Sequence, residues 1–176
     1  MTDSEQDRAR RQNSQETPVS AQEGDHKGPA VSIPPPLVFV AFLVVGLVLH
    51  LVWPVRLTDS LLLRFAGATL CVLAIVALLA IGLMFHKHQT SIAPWEPTTR
   101  VLDHGPYAFS RNPIYVAFCF LAIGIGLSQN SLWMSLSFIP SAFVVFHTAI
   151  VREEEYLEKK FGEQYRRYKA KVRRWI

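Results

Sequence analysis

The sequence predicts an all-α membrane protein, a bundle of about four transmembrane helices followed by an amphipathic cytoplasmic C-terminal helix. Three observations carry this expectation. Large apolar side chains are almost missing from residues 1–36, yet they fill 37–53 and 61–85, and a lipid-facing helix needs about 20 mostly apolar residues in a row. Lys and Arg fall almost entirely on one side of the topology that these blocks define. Beyond residue 151 the pattern changes to a single apolar stripe on an otherwise charged helix.

Residues 1–33 are expected to be a disordered cytoplasmic tail and 34–176 the membrane domain. The first 30 residues mix both charge signs with Ser, Gln, Gly and Pro. They cannot bury enough apolar surface to offset chain entropy. More than thirty polar residues before the first apolar block are too many for the basic lead of a cleaved signal. Pro34, Pro35 and Pro36 then favour an extended lead-in.

The first span is predicted at about 36–54 (PLVFVAFLVVGLVLHLVWP), closed by Trp53 and Pro54. The second covers about 61–85, with Arg64 near enough to its start to reach water. A polar connection, 86–113, leads to an apolar run at 114–127, which residues of the connection extend to a third span of about 110–127. Pro113 suits the first turn of that helix. The fourth span, about 132–151, follows after only Ser128, Gln129, Asn130 and Ser131, so the last two spans should form an antiparallel hairpin. Cys71 and Cys119 both lie in apolar runs and read as small packing residues rather than a disulfide.

Four spans place the N-terminal tail, the 86–113 connection and the C-terminal segment on one side, with sixteen Lys and Arg against two, Arg56 and Arg64, on the other. The positive-inside rule makes the richer side cytoplasmic. In the C-terminal segment, expected to be a helix over 152–176, Leu157, Phe161, Tyr165, Tyr168, Val172 and Trp175 share one face. Such a helix lies on the membrane surface or folds back onto the ends of the spans. Gly162 permits a break within it.

Two polar clusters share the cytoplasmic side. One is an elbow, DHGPYAFSRNPIYVAF at 103–118, which sets His104, Arg111 and Asn112 against the start of an apolar run. The other is Arg152-Glu153-Glu154-Glu155 at the exit of the fourth span. Charges at a membrane boundary are costly unless solvated, paired or used. The short hairpin brings Arg111 near Glu153 or Glu154, so an anion could meet the arginine and an amine or ribose the carboxylates. The alternatives are a snorkelling arginine and a solvated helix start favoured by the dipole. Trp95, Tyr107 and Tyr115 read equally as belt aromatics. His86, His88 and His104 lack the thiolates or spaced acids that would complete a metal site. His50 and His147, within spans, are either hydrogen-bonded in the bundle or turned to a cavity.

The elbow GPYAFSRNPIYVAF, the acidic and basic run REEEYLEKKFGEQYRRYKAKVRRW and the upstream SIAPWEPTTRVLDHG together resemble the isoprenylcysteine carboxyl methyltransferase family, which groups with the membrane phospholipid methyltransferases. The similarity covers about 85–176. It implies an integral membrane enzyme using S-adenosylmethionine, with both termini and the cofactor site cytoplasmic. Matched by position, Arg111 and Glu154 are the implied catalytic pair. His104, Gly105, Pro106, Tyr107, Arg111, Asn112, Pro113, Tyr115, Glu153, Glu154 and Tyr165 form the implied cofactor wall. Phe161, Gly162 and Tyr168 fall on the terminal aromatic motif. Asn112 stands where many members carry histidine, so hydrogen bonding is kept and proton transfer is not.

The implied partners are the bilayer and a lipophilic methyl acceptor, resembling an isoprenylcysteine carboxylate, with no nucleic acid and no metal. A phospholipid or another small lipophilic nucleophile fits the same lateral entrance. A non-catalytic four-helix anchor and a small carrier are the competing classes. A carrier wants ionisable groups deep in its spans, where only His50 and His147 qualify.

Overall fold

The computed structural model describes residues 31, 33–87 and 101–176. The expected disordered tail and the stretch holding His88 and Trp95 therefore lie outside the described residues, apart from Val31 and Ile33. Within them every regular element is helical: α1 (Pro35–Val52), α2 (Leu61–Lys87), a 3-10 turn (Gly105–Ala108), α3 (Pro113–Ser128), α4 (Leu132–Leu136), α5 (Phe138–Val145), a π-helical turn (Phe146–Ile150), α6 (Val151–Phe161) and α7 (Glu163–Lys171). Among the described residues, three helices are long and apolar enough to cross a membrane: Pro35–Val52, Leu61–Lys87 and Leu132–Phe161.

The third expected span begins later than residue 110. Pro113 occupies the first turn of α3, and a residue before proline is driven out of the α region. Asn112 accordingly sits at φ −129°, ψ 51°. At 16 residues, α3 rises only about 24 Å, less than a hydrocarbon core of about 30 Å.

The fourth span is interrupted rather than uniform. Ser137 separates α4 from α5, because the ring of Pro140 conflicts with the carbonyl of Leu136 and offers it no N–H. The π turn at Phe146–Ile150 then holds an extra residue, which shifts the helical phase of everything after it. The predicted C-terminal helix, 152–176, is not one element. Its first part, α6, continues the span; the helix breaks at Gly162, whose φ of 51° and ψ of −121° suit glycine. Helix α7 ends at Lys171, and Val172 is already extended.

Helices α2 and α3 pack side by side, while α1 lies against α4 and α5. Asn130 turns the α3–α4 hairpin at φ 53°, and its Oδ1 accepts the backbone N–H groups of Leu57 and Thr58, each at 3.0 Å. Trp133 Nε1 donates to the Trp53 carbonyl at 2.8 Å. Val38 and Phe39 of α1 meet Tyr115, Val145, Ala149 and Ile150 in one buried cluster, with Phe39 stacked on Phe118 at 5.3 Å. The buried hydroxyls of Ser135 and Ser141 donate to carbonyls four residues back, at 2.9 and 2.8 Å, so these two hydroxyls enter the core with partners on their own helix. Only 11% of the most apolar stretch of α2 is buried, which leaves most of its surface to lipid.

Gly67 of α2 lies against Gly124 and Leu127 of α3, and Ile81 borders the same cavity as Pro113. Helix α2 thus runs past the start of α3 to Lys87, an overhang of about 9 Å. The elbow occupies this step, with Tyr107 against Phe85 at 5.8 Å.

The tightest crossing is at Gly126, where an added Cβ would stand 2.1 Å from the Ser135 nitrogen. Gly126→Ala should cost about 1–3 kcal/mol through overpacking. Gly82→Ala, where an added Cβ meets nothing within 4 Å, should be neutral or stabilise by up to about 1 kcal/mol. Thermal melts of the two variants in one detergent check the contrast.

Candidate functional site

The elbow folds on its own backbone before it meets the rest of the chain. Tyr107 N–H donates to the His104 carbonyl, and the N–H groups of Phe109 and Ser110 donate to Pro106, each at 3.2 Å. Ser110 Oγ accepts the Asn112 N–H at 3.1 Å. This winding turns Ser110 and Asn112 inward, both buried, and leaves His104, Gly105 and Pro106 exposed at the rim.

The C-terminal residues close on the elbow from the other side. Arg111 N–H donates to the Arg173 carbonyl at 2.9 Å. The Arg174 carbonyl accepts from Asn112 Nδ2 at 3.0 Å and from Ser110 Oγ at 3.3 Å. Tyr168 donates its hydroxyl to the Tyr107 carbonyl at 2.8 Å. Folding back onto the ends of the spans is thus the arrangement found, performed by α7 and the extended residues after it.

The phase set by the π turn points Glu153 and Glu154 into this assembly and leaves Glu155 exposed. Glu154 is 7% exposed and held by two arginines. Arg174 donates through Nε to Oε1 and through Nη2 to Oε2, both at 2.9 Å, a bidentate fork that fixes the carboxylate plane. Arg111 Nη1 forms an ion pair with Oε1 at 3.2 Å. Glu153 instead accepts the Tyr115 hydroxyl at 2.5 Å through Oε1.

Arg111 is as buried as its partner, its side chain 9% exposed. Its Nε and Nη1 lack hydrogen-bond partners among the described residues, the Nη1 contact to Glu154 being ionic. A buried guanidinium with donors to spare is costly, and it suits an incoming carboxylate. Tyr165, 2% exposed, lies in the same cluster. Burial pushes its hydroxyl up to about 12, with Glu154 adding to the shift and Arg111 opposing it. Burial raises Tyr107 and Tyr168 further in the same direction. These phenols stay neutral and offer ring faces and hydroxyls.

Of the residues singled out in the sequence, the structure gathers Tyr107, Arg111, Asn112, Pro113, Tyr115, Glu153, Glu154 and Tyr165 around one locus. Gly105 and Pro106 border it, and His104 stands half exposed beside Asp103 at 3.5 Å. Ser110 and Arg174 were missed. Arg174, whose guanidinium also lies 5.1 Å from the Phe146 ring centre, counted in sequence only as one of many tail cations. The apolar stripe ending at Trp175 was the one signal that this tail docks. No cluster of three or more His, Cys, Asp or Glu suited to a metal occurs among the described residues.

Beside the locus, between α2 and α3, lies an apolar cavity of about 420 Å³. Leu73, Ala77 and Ile81 line one side, Pro113 and Val116 the other, with Phe109 and Trp175 near the elbow.

Known proteins share the sequence pattern and the fold of this chain. The phospholipid methyltransferase family pattern matches residues 62–164. An uncharacterized protein of Haemophilus influenzae is 46% identical over 56 residues, which is 32% of this chain and 86% of that protein. The protein-S-isoprenylcysteine O-methyltransferase of Schizosaccharomyces pombe is 35% identical over 72 residues, 41% of this chain and 30% of the enzyme. Among solved structures, the eukaryotic intramembrane Ras methyltransferase ICMT superposes with a TM-score of 0.61 at 24% identity, over 80% of this chain and 51% of that one. The chain thus spans about half the length of the solved relative and less than a third of the yeast enzyme.

Two arginines of the C-terminal segment, one on Glu154 and one exposed, make separable predictions. Arg174→Ala should release the tail and speed amide exchange at Arg111, whose N–H is held by the Arg173 carbonyl, by at least tenfold. Arg166→Ala, on an exposed side chain, should leave that rate unchanged. Hydrogen–deuterium exchange of the detergent-solubilised protein reads both.

Proposed function

The chain belongs to the phospholipid methyltransferase family, and from that premise we propose that it is an S-adenosylmethionine-dependent methyltransferase acting within the membrane on a lipophilic acceptor. One observation carries the reading: a buried arginine with unused donors stands among buried carboxylates and tyrosines, directly beside an apolar cavity.

The donor set fits the cofactor. Arg111 has the geometry to take a carboxylate, that of the cofactor or of an acceptor, by paired hydrogen bonds. Glu153 has one oxygen committed to Tyr115 and the other available for an amino group or ribose hydroxyl. Both oxygens of Glu154 face guanidinium groups, so we assign it the task of holding Arg111 in place. Asn112 ties the elbow to the tail, work that needs an amide and no proton transfer. Neutral Tyr107, Tyr115 and Tyr165 place aromatic faces where a sulfonium gains from them. When bound, S-adenosylmethionine supplies the electrophilic methyl group.

The protein's contribution is then alignment and exclusion of water. The apolar cavity suits a hydrocarbon chain entering sideways from the bilayer. A carboxylate acceptor, as in an isoprenylated cysteine, is already ionised and needs no general base. This agrees with tyrosines held in the protonated form and with His104 lying at the exposed rim. A phospholipid amine, as the family's name suggests, is the second reading. The distribution of basic residues supports a cytoplasmic position for the site and both termini.

Arg111→Ala should weaken S-adenosylmethionine binding at least tenfold, about 1.4 kcal/mol, while Glu155→Ala should leave it within twofold. Equilibrium binding to protein in detergent decides this, and equal affinity of the Arg111 variant would sink the cofactor assignment. With methyl-labelled cofactor and native membranes, base-labile label is the expected outcome. Base-stable label would move the acceptor to an amine.

A further inference from the structure

The opposite end of the bundle carries a second polar chamber, of about 350 Å³, lined by His50, Arg56, Thr58, Asp59, Arg64 and Asn130 among others. It is built rather than incidental. Asn130 pins the 53–60 loop through the N–H groups of Leu57 and Thr58, and Arg64 Nε is steered by the Ser128 carbonyl at 3.2 Å. His50 Nδ1 is buried there with no partner among the described residues.

The charges of this chamber are also unspent. Among the described residues, neither Arg56 nor Asp59 enters an ion pair, and Arg64 keeps its terminal nitrogens unpaired. Arg56 and Arg64 are the two basic residues that the topology sets apart from the other sixteen. Beside the chamber, Leu62 and Phe65 of α2 present exposed apolar surface, which in a membrane meets acyl chains.

We propose that this chamber binds the phosphodiester headgroup of a membrane lipid, in the leaflet opposite the methyl-transfer locus. Two guanidinium groups take the phosphate oxygens by charge-assisted hydrogen bonds, and the His50 ring adds a further donor. Asp59 opposes the phosphate, leaving a net charge of one that a single phosphodiester neutralises. The acyl chains lie along the exposed faces of α1 and α2. The shared chemistry with a soluble phosphate ester is the phosphate; the apolar surface adjoining the chamber assigns it to lipid.

Native mass spectrometry of the full chain, released from micelles with equimolar phosphatidylglycerol and diacylglycerol of matched acyl chains, tests this. Phosphatidylglycerol should be retained at least tenfold better. Arg56→Gln with Arg64→Gln should abolish that preference. Asp59→Asn should raise retention at least twofold, a gain that a misfolded chain would not give. Equal retention of the two lipids, an unchanged preference in the double variant or a loss in Asp59→Asn would each overturn the proposal. Displacement by glycerol phosphate at concentrations similar to the lipid would overturn the lipid assignment in favour of a soluble ester.

Discussion

The site end of this molecule depends on how the charge of Glu154 is held. A carboxylate taken out of water at that depth is costly unless opposed by charge and hydrogen bonds, and two arginines from distant parts of the sequence oppose it. One belongs to the elbow and the other to the extended residues after α7. Three segments that share no regular hydrogen bonding are thereby tied at one point. Asn112, Ser110 and Tyr168 then add neutral hydrogen bonds around the charged centre. Removing either arginine leaves the other to balance the carboxylate alone, so the three segments behave as one unit.

Much of the rest serves to deliver Glu154 to that point. The fourth membrane helix is broken near its start by Pro140 and underwound near its end by the π turn at Phe146–Ile150. With regular α geometry throughout, a single missing residue of phase would rotate Glu153 and Glu154 by about 100°. The exposed Glu155 shows how sharply phase separates neighbours in this run.

The helices were legible because lipid imposes a strong length and polarity rule: α1 and α2 end within two residues of where apolar content alone put them. The meeting of Arg111 with the acidic run was legible too, since a four-residue turn leaves little freedom in an antiparallel hairpin. Family resemblance drawn from the elbow and the acidic run agrees with the comparisons. The part played by Arg174 was not legible. A long-range pair between an arginine and a glutamate twenty residues earlier leaves no period or spacing, and the helix expected over 152–176 would have carried Arg174 away from Glu154. Gly162 advertised the break, but its direction depends on a backbone angle that composition does not specify. His50 and His147 divided the two readings between them. His147 Nδ1 shares a hydrogen bond with the Phe143 carbonyl at 2.9 Å, whereas His50 lines a chamber.

The unequal lengths of α2 and α3 have a consequence for where reactants must stand. Because α3 starts about 9 Å below the end of its neighbour, the elbow is a ledge sunk beneath the rim of the bundle. A soluble reactant reaches that ledge by descending from the water. A reactant anchored in the bilayer meets it at the height where its own polar group already rests. For the proposed methyl transfer, the step between the two helices therefore sets a working depth, and an acceptor with a longer or shorter polar stem would present its reactive atom at the wrong level.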